Sequence, residues 1–157
     1  MIVADSSALI ALSTCQSLWL LERLFDDLKI PPAVFKEVTV LGKRHAQTLR
    51  TYLTDKMVPI DSKSCQIKGN RGLGAGEFEA MILYLQLSAD LLLIDDAKAR
   101  KVASLNQIDI IGSLGILLRA KQEKLLTNLK PHLKILKASE LYISEHLIEK
   151  TLNLAGE

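Results

Sequence analysis

The sequence predicts an α/β protein: a central parallel sheet of about four or five strands flanked by helices. Three observations carry that expectation. Short apolar runs, clearest at Ile2–Ala4 and Leu91–Ile94, alternate with helix-like segments along the chain. Apolar residues make up 48% of the chain and aromatic residues 4%, so the core must be aliphatic, as suits helices packed on a sheet. Acidic residues directly follow the two clearest runs, Asp5 after the first and Asp95 and Asp96 after the second. In open α/β sheets, ligands bind in the crevice beyond the carboxyl ends of the strands.

Taken in order, Ile2–Ala4 reads as the first strand, with helices over Ser7–Leu12 and Ser17–Phe25. Leu28–Ile30 reads as a short strand. Pro31 and Pro32 follow, and a proline in the first turn suits the start of a helix over Ala33–Val38. Ala46, Leu49 and Leu53 recur at helical spacing within Lys43–Leu53. Val58–Ile60 reads as a further strand, which Pro59 confines to a sheet edge. The stretch from Ser62 to Gly76 is irregular and ends in Gly72-Leu73-Gly74-Ala75-Gly76. Ala75–Leu87 is helical and apolar around most of its circumference. Leu91–Ile94 is the central strand, followed by a helix over Ala97–Leu105, a strand over Asp109–Ile111 and a helix over Leu114–Lys121. The tail is helical over Pro131–Lys137 and Ser144–Leu154, with an apolar stripe at Leu147, Ile148, Thr151 and Leu152.

At 157 residues the chain fits one domain over 1–157, with a helical C-terminal extension from about Leu125. Its apolar runs are too short to span a bilayer, and the N-terminus carries no basic-then-apolar secretory pattern. A cytoplasmic protein that does not meet membranes is the expectation. Cys15 and Cys65 have no zinc spacing and read as reduced thiols. The net charge of +2 is small, but its distribution is informative. Lys63, Lys68 and Arg71 precede Glu77, while Lys98, Arg100 and Lys101 follow the aspartate pair. Such clusters are solvated helix faces or, beside an acidic site, contacts for a polyanion.

The candidate chemistry lies in Asp5, Glu37, Glu77, Asp95 and Asp96. Oxygen-only ligands select Mg²⁺ or Mn²⁺ over zinc. Two carboxylates about 5 Å apart at an effective dielectric near 20 repel by roughly 3 kcal/mol, and a cation turns that repulsion into coordination. A metal held there lowers the pKa of a water and neutralises phosphoryl charge, which suits phosphodiester hydrolysis. Each acid also has a structural reading. Asp5 before Ser6 and Ser7 can cap a helix, as can Asp95 or Asp96. Glu77 in a first turn favours the helix dipole. Glu37 on an amphipathic helix can simply face solvent.

Other chemistries fit less well. The glycine-rich segment lacks the Lys-Ser/Thr of a Walker loop and the spacing of a dinucleotide fingerprint. His45, His132 and His146 share no spacing. A receiver-like domain places its acidic pair after the first strand, and a haloacid-dehalogenase-type phosphatase needs Asp-x-Asp there. This chain has Asp5-Ser6-Ser7 first and its pair late.

Five segments, Val3–Ile10, Ile30–Val38, Gly74–Ala80, Leu91–Arg100 and Ile111–Gly115, resemble PIN domains in order along nearly the whole chain. They resemble in particular the prokaryotic branch akin to the VapC toxins of toxin–antitoxin pairs. The resemblance implies a three-layer PIN-like fold and a Mg²⁺- or Mn²⁺-dependent endoribonuclease that leaves a 3′-hydroxyl and a 5′-phosphate. It also implies a homodimer and a small antitoxin partner. Carried over by position, Asp5, Glu77 and Asp96 match metal ligands. Glu37 and Asp95 match further acids of the site, and Ser7 and Ser113 match small hydroxyl positions lining it. Many toxin-type members carry aspartate where this chain has Glu77; the Gly-x-Gly-Glu pattern belongs to a branch with glutamate there. A catalytically degenerate PIN fold that only binds RNA or protein is the rival expectation.

Overall fold

The computed structural model describes residues 1–141 and 143–157. Its described residues form four strands and nine helices in the order β1 (Ile2–Ala4), α1 (Ser6–Thr14), α2 (Trp19–Leu24), β2 (Leu28–Lys29), α3 (Pro32–Val38), α4 (Ala46–Leu53), α5 (Ala75–Leu87), β3 (Leu91–Leu93), α6 (Ala97–Leu105), β4 (Ile110–Ile111), α7 (Ser113–Gln122), α8 (Lys130–Ala138) and α9 (Glu145–Leu154). The strands pair in parallel in the order β2-β1-β3-β4, with Ala4 opposite Leu93 and Leu93 opposite Ile111. The expected α/β class, a parallel sheet flanked by helices, is therefore the class observed.

The apolar runs at Ile2–Ala4 and Leu91–Leu93 form strands covered on both faces. Ile2, Val3, Ala4, Leu92, Leu93 and Ile94 expose no surface, as buried parallel strands require. Helix α5, apolar on nearly every side, packs against β1, β3 and α3, and its Ala80, Met81, Ile82 and Leu83 are fully buried. Leu129, Leu133, Leu136 and Ile148 from the C-terminal part join the same core cluster.

Two local expectations are corrected. Val58–Ile60 is not a strand: only an isolated parallel bridge between Ile30 and Met57 extends the sheet past β2. The Val58 amide donates to Ile30 at 2.9 Å, but Pro59 has no N–H to continue a ladder. The helix expected from Lys43 starts only at Ala46, because His45 takes a left-handed backbone (φ 68°) that cannot continue a right-handed helix. The other helices match within about two residues, the ordinary scatter of helix ends.

Strand order positions the site. The chain leaves β1 towards β2 on one side, and β3 lies on the other, so the order reverses between β1 and β3. A crevice opens beyond the carboxyl ends of strands at such a switch point. Asp5 ends β1, and Asp95 and Asp96 follow β3, so all three acids fall at that crevice.

Candidate metal centre at the sheet's carboxyl edge

Asp5 is the most deeply buried acid, 2% exposed. Its amide donates to the Leu93 carbonyl at 2.9 Å, fixing it against the neighbouring strand. As N-cap of α1, its Oδ2 accepts from the Ser7 hydroxyl at 2.9 Å and from the Ser7 amide at 3.4 Å. Its Oδ1 is buried with no hydrogen-bond partner among the described residues. Burial raises the carboxyl to a pKa of about 6; hydrogen bonds from Ser6 and Ser7 oppose the rise, and the Glu77 charge adds to it. A buried polar atom without a partner is costly and rare, so this oxygen points to a missing group.

Glu77 occupies the third position of α5, where its carboxylate accepts the Gly74 amide at 2.9 Å. That bond satisfies one of the helix's free N–H groups and anchors the end of the glycine-rich segment. Glycine at 74 lacks a side chain to cap in return. Glu77 keeps its second oxygen, near enough to Asp5 to bear on its ionisation.

Glu37 does not face solvent. Its Oε2 accepts from the Ser6 hydroxyl at 2.5 Å and its Oε1 from the Gly76 amide at 2.9 Å. Reciprocally, Glu79 of α5 accepts the Ala33 amide in the first turn of α3 at 2.8 Å. The two helices thus exchange acid-to-amide caps, and Glu37 ties α1, α3 and α5 together beside Asp5. A Cβ at Gly76 would sit 2.5 Å from Glu37 Oε2, so only glycine admits this approach. Ser6, Gly76 and Glu79 were not singled out from the sequence. The doubled serine after Asp5 left unclear which hydroxyl serves which acid, and backbone partners leave no sequence trace.

The aspartate pair divides its work. Asp96 is exposed and caps α6, its Oδ2 accepting the Ala99 amide at 2.8 Å. Asp95 Oδ1 accepts the Ser113 amide at 2.7 Å and so caps α7 from a different strand end. Ser113 is the first residue of that helix, and Gly112 precedes it with no side chain to serve as a cap. A Cβ at Gly112 would lie 2.8 Å from Arg100 Nη1 and 2.9 Å from Asp95 Oδ1. Arg100 Nη1 also donates to the Ile94 carbonyl at 3.4 Å. A cavity of about 780 Å³ begins at Ser7, Asp95, Asp96 and Ser113 and runs between α7 and α9 towards Leu147 and Leu154.

All the expected acids and both serines therefore lie around the β1–β3 switch point, but not as one cage. Among the described residues, no three of His, Cys, Asp and Glu converge closely enough to hold an ion by themselves. Mg²⁺ needs no such cage: it keeps several waters and is held by one or two carboxylates plus substrate phosphates. The all-oxygen donor set, the unpartnered Asp5 Oδ1 and the adjacent Glu77 charge fit a cation of that kind.

Among the described residues, no helix is long and apolar enough to cross a membrane. No curated protein matches the chain. The family model described as PIN domain matches residues 1–157. The acids at the carboxyl edge of this parallel sheet and a match that spans its full length lead to one conclusion: the chain belongs to the PIN-domain family.

Proposed function

We propose that this chain is a Mg²⁺- or Mn²⁺-dependent endoribonuclease of the VapC-like branch, acting as the toxin of a pair with a small antitoxin. The observation that carries the reading is the buried Asp5 carboxylate, one oxygen unpartnered, beside Glu77 at the β1–β3 switch point. Family membership supplies the nuclease class, since PIN domains are generally nucleases and typically use divalent metals. The single domain over 1–157, the homodimer and the cytoplasmic location belong to the same reading.

Asp5, Glu77 and Asp96 would hold the ion together with water and substrate phosphate oxygens, with Asp95 and Glu37 beside them. When bound, such an ion supplies Lewis-acid charge for phosphoryl oxygens and a more acidic water. The protein residues do the remaining work. Ser7 holds Asp5 Oδ2, leaving Oδ1 as the free donor. Glu37 fixes the start of α5 through the Gly76 amide, which sets where Glu77 stands. Asp95 holds the start of α7, so it acts by positioning, and Arg100 beside it offers a cation to a phosphate. A 3′-hydroxyl and a 5′-phosphate are the expected products.

The rival reading, a degenerate binding module, draws on the same hydrogen bonds. Glu37, Asp95 and Asp96 each accept a backbone amide and so have structural reasons to be acidic. Thermal melts of metal-stripped protein with increasing Mn²⁺, for wild type and Glu77→Gln together, separate the two. Binding to the folded state alone at a hundred times Kd adds about 2.7 kcal/mol. Stabilisation in wild type that Glu77→Gln abolishes, together with Mn²⁺-dependent RNA cleavage, supports the nuclease. A wild-type melt indifferent to Mn²⁺ supports the module.

A further inference from the structure

Two basic clusters far apart in sequence meet in the fold. Residues 62–76 contain Lys63, Lys68 and Arg71 and no acid; residues 97–108 contain Lys98, Arg100 and Lys101 and no acid. The first segment lies along α6. Asn106, at the end of α6, accepts the Lys68 amide at 2.8 Å and donates to the Lys68 carbonyl at 2.9 Å, clamping one residue's backbone from both sides. A Cβ at Gly69 would touch Leu105 Cδ2 at 3.0 Å, and one at Gly72 would collide with Lys98 Nζ. The loop therefore runs along α6 from Leu105 back to Lys98. Lys98, Lys101 and Leu105 stand at helical spacing on the face that meets it.

We infer that loop 68–72 and this face of α6 form one track for a single-stranded RNA backbone, leading into the carboxylate site. Lys68, Arg71, Lys98 and Lys101 are exposed, and none makes an ion pair among the described residues. Arg100 is set apart, turned towards the Ile94 carbonyl. The Lys98–Gly72 end of the track adjoins both Asp96, the cap of α6, and Gly74, whose amide Glu77 holds. From Lys98 to Leu105 the helix rises about 10 Å at 1.5 Å per residue, short enough for a few successive phosphates. Charge at this density would ordinarily be a solvated surface. Here the Asn106 clamp fixes the loop on the helix, so the backbone positions that carry the four cations keep a set spacing.

The inference rests on the endoribonuclease reading, and its test is separable from it. The affinity of a fluorescein-labelled 12-nucleotide single-stranded RNA is measured against salt in EDTA, where metal-dependent cutting cannot occur. Proteins compared are wild type, the Lys68→Ala/Arg71→Ala/Lys98→Ala/Lys101→Ala variant, Asn106→Ala, and a Lys130→Ala/Lys134→Ala control on α8. Each phosphate contact on a single strand adds about 0.7 to the slope of log affinity on log salt. Four contacts then make wild type lose about 50-fold more affinity than the quadruple variant between 50 and 200 mM salt. Asn106→Ala keeps every charge, and is expected to bind several-fold more weakly, which net charge alone would not produce. The control is expected to match wild type. Equal salt slopes for wild type and the quadruple variant, or equal affinity for Asn106→Ala with an unchanged melt, overturn the track. Cleavage of the same RNA with Mn²⁺ by wild type is scored separately, so failure of the nuclease reading is distinguishable from failure of the track.

Discussion

Replacing Asp5 by Asn is expected to stabilise the metal-free protein at neutral pH, although Asp5 caps α1 and lies in the core. The reason is its raised carboxyl, moved from 3.8 to about 6 by burial. Below both values the acid is protonated whether the chain is folded or not. Between about 4 and 6 the unfolded chain has released the proton and the folded chain still holds it, so stability falls as pH rises. Above 6 the buried charge costs a constant amount, about 2 pKa units or roughly 3 kcal/mol. Asn keeps an oxygen for Ser7 and removes the titration. Its amide hydrogens lack acceptors beside Oδ1, which costs about 1–3 kcal/mol, but that cost is the same at every pH. The difference in stability between Asn and wild type therefore climbs by roughly 3 kcal/mol from pH 4 to pH 7. At about 2–4 °C per kcal/mol for a domain of this size, the gap in Tm widens by about 6–12 °C. Thermal melts followed by circular dichroism in EDTA, at half-unit pH steps, read it directly. Mn²⁺ at pH 7 should raise the Tm of wild type and leave Asp5→Asn unmoved. Parallel pH profiles for the two proteins, or a gap that narrows with pH, would refute the burial argument and with it the case for Asp5 as the metal's anchor.

Other outcomes follow from the caps and close approaches. Asp96→Asn keeps the α6 cap and should leave the apo Tm within about 1 °C while weakening the Mn²⁺ response, because Asn and Asp cap equally well; Asp96→Ala should cost a further 0.5–2 kcal/mol or so in the same melts. Gly76→Ala drives a methyl into the Glu37 carboxylate and should destabilise by about 1–3 kcal/mol in urea unfolding, with cleavage reduced more than stability alone accounts for. Gly112→Ala displaces Arg100 and Asp95 together and should lower kcat for RNA cleavage with a small loss of Tm, since its backbone is not strained (φ −99°). Leu92→Ala in the central strand should cost about 2–5 kcal/mol without altering Mn²⁺ affinity in calorimetry.

Much of this molecule was legible in the sequence. Ile2–Ala4 and Leu91–Leu93 are short apolar runs bounded by helix-like segments, a pattern that suits strands covered on both faces, so the α/β class is readable from them. The acids that follow those runs fall at the sheet's carboxyl edge because a strand delivers the next residue there. The capping readings of Asp5 and of one of Asp95 and Asp96, and the first-turn place of Glu77, were legible too, since N-caps and first-turn acids act within a few residues. What tertiary structure alone decided is every contact between distant segments. Glu37 clamps Ser6 and Gly76, and Asp95 caps a helix that begins 18 residues later. Two basic clusters become one strip through Asn106. Local propensity is encoded over a turn or two and can be read along the chain. Pairing across 30 residues or more depends on how helices pack and strands order, and no local pattern records it. The aliphatic pattern put acids directly after buried strands; strand order made that edge a switch-point crevice, and packing decided which oxygen in it, Asp5 Oδ1, was left without a partner.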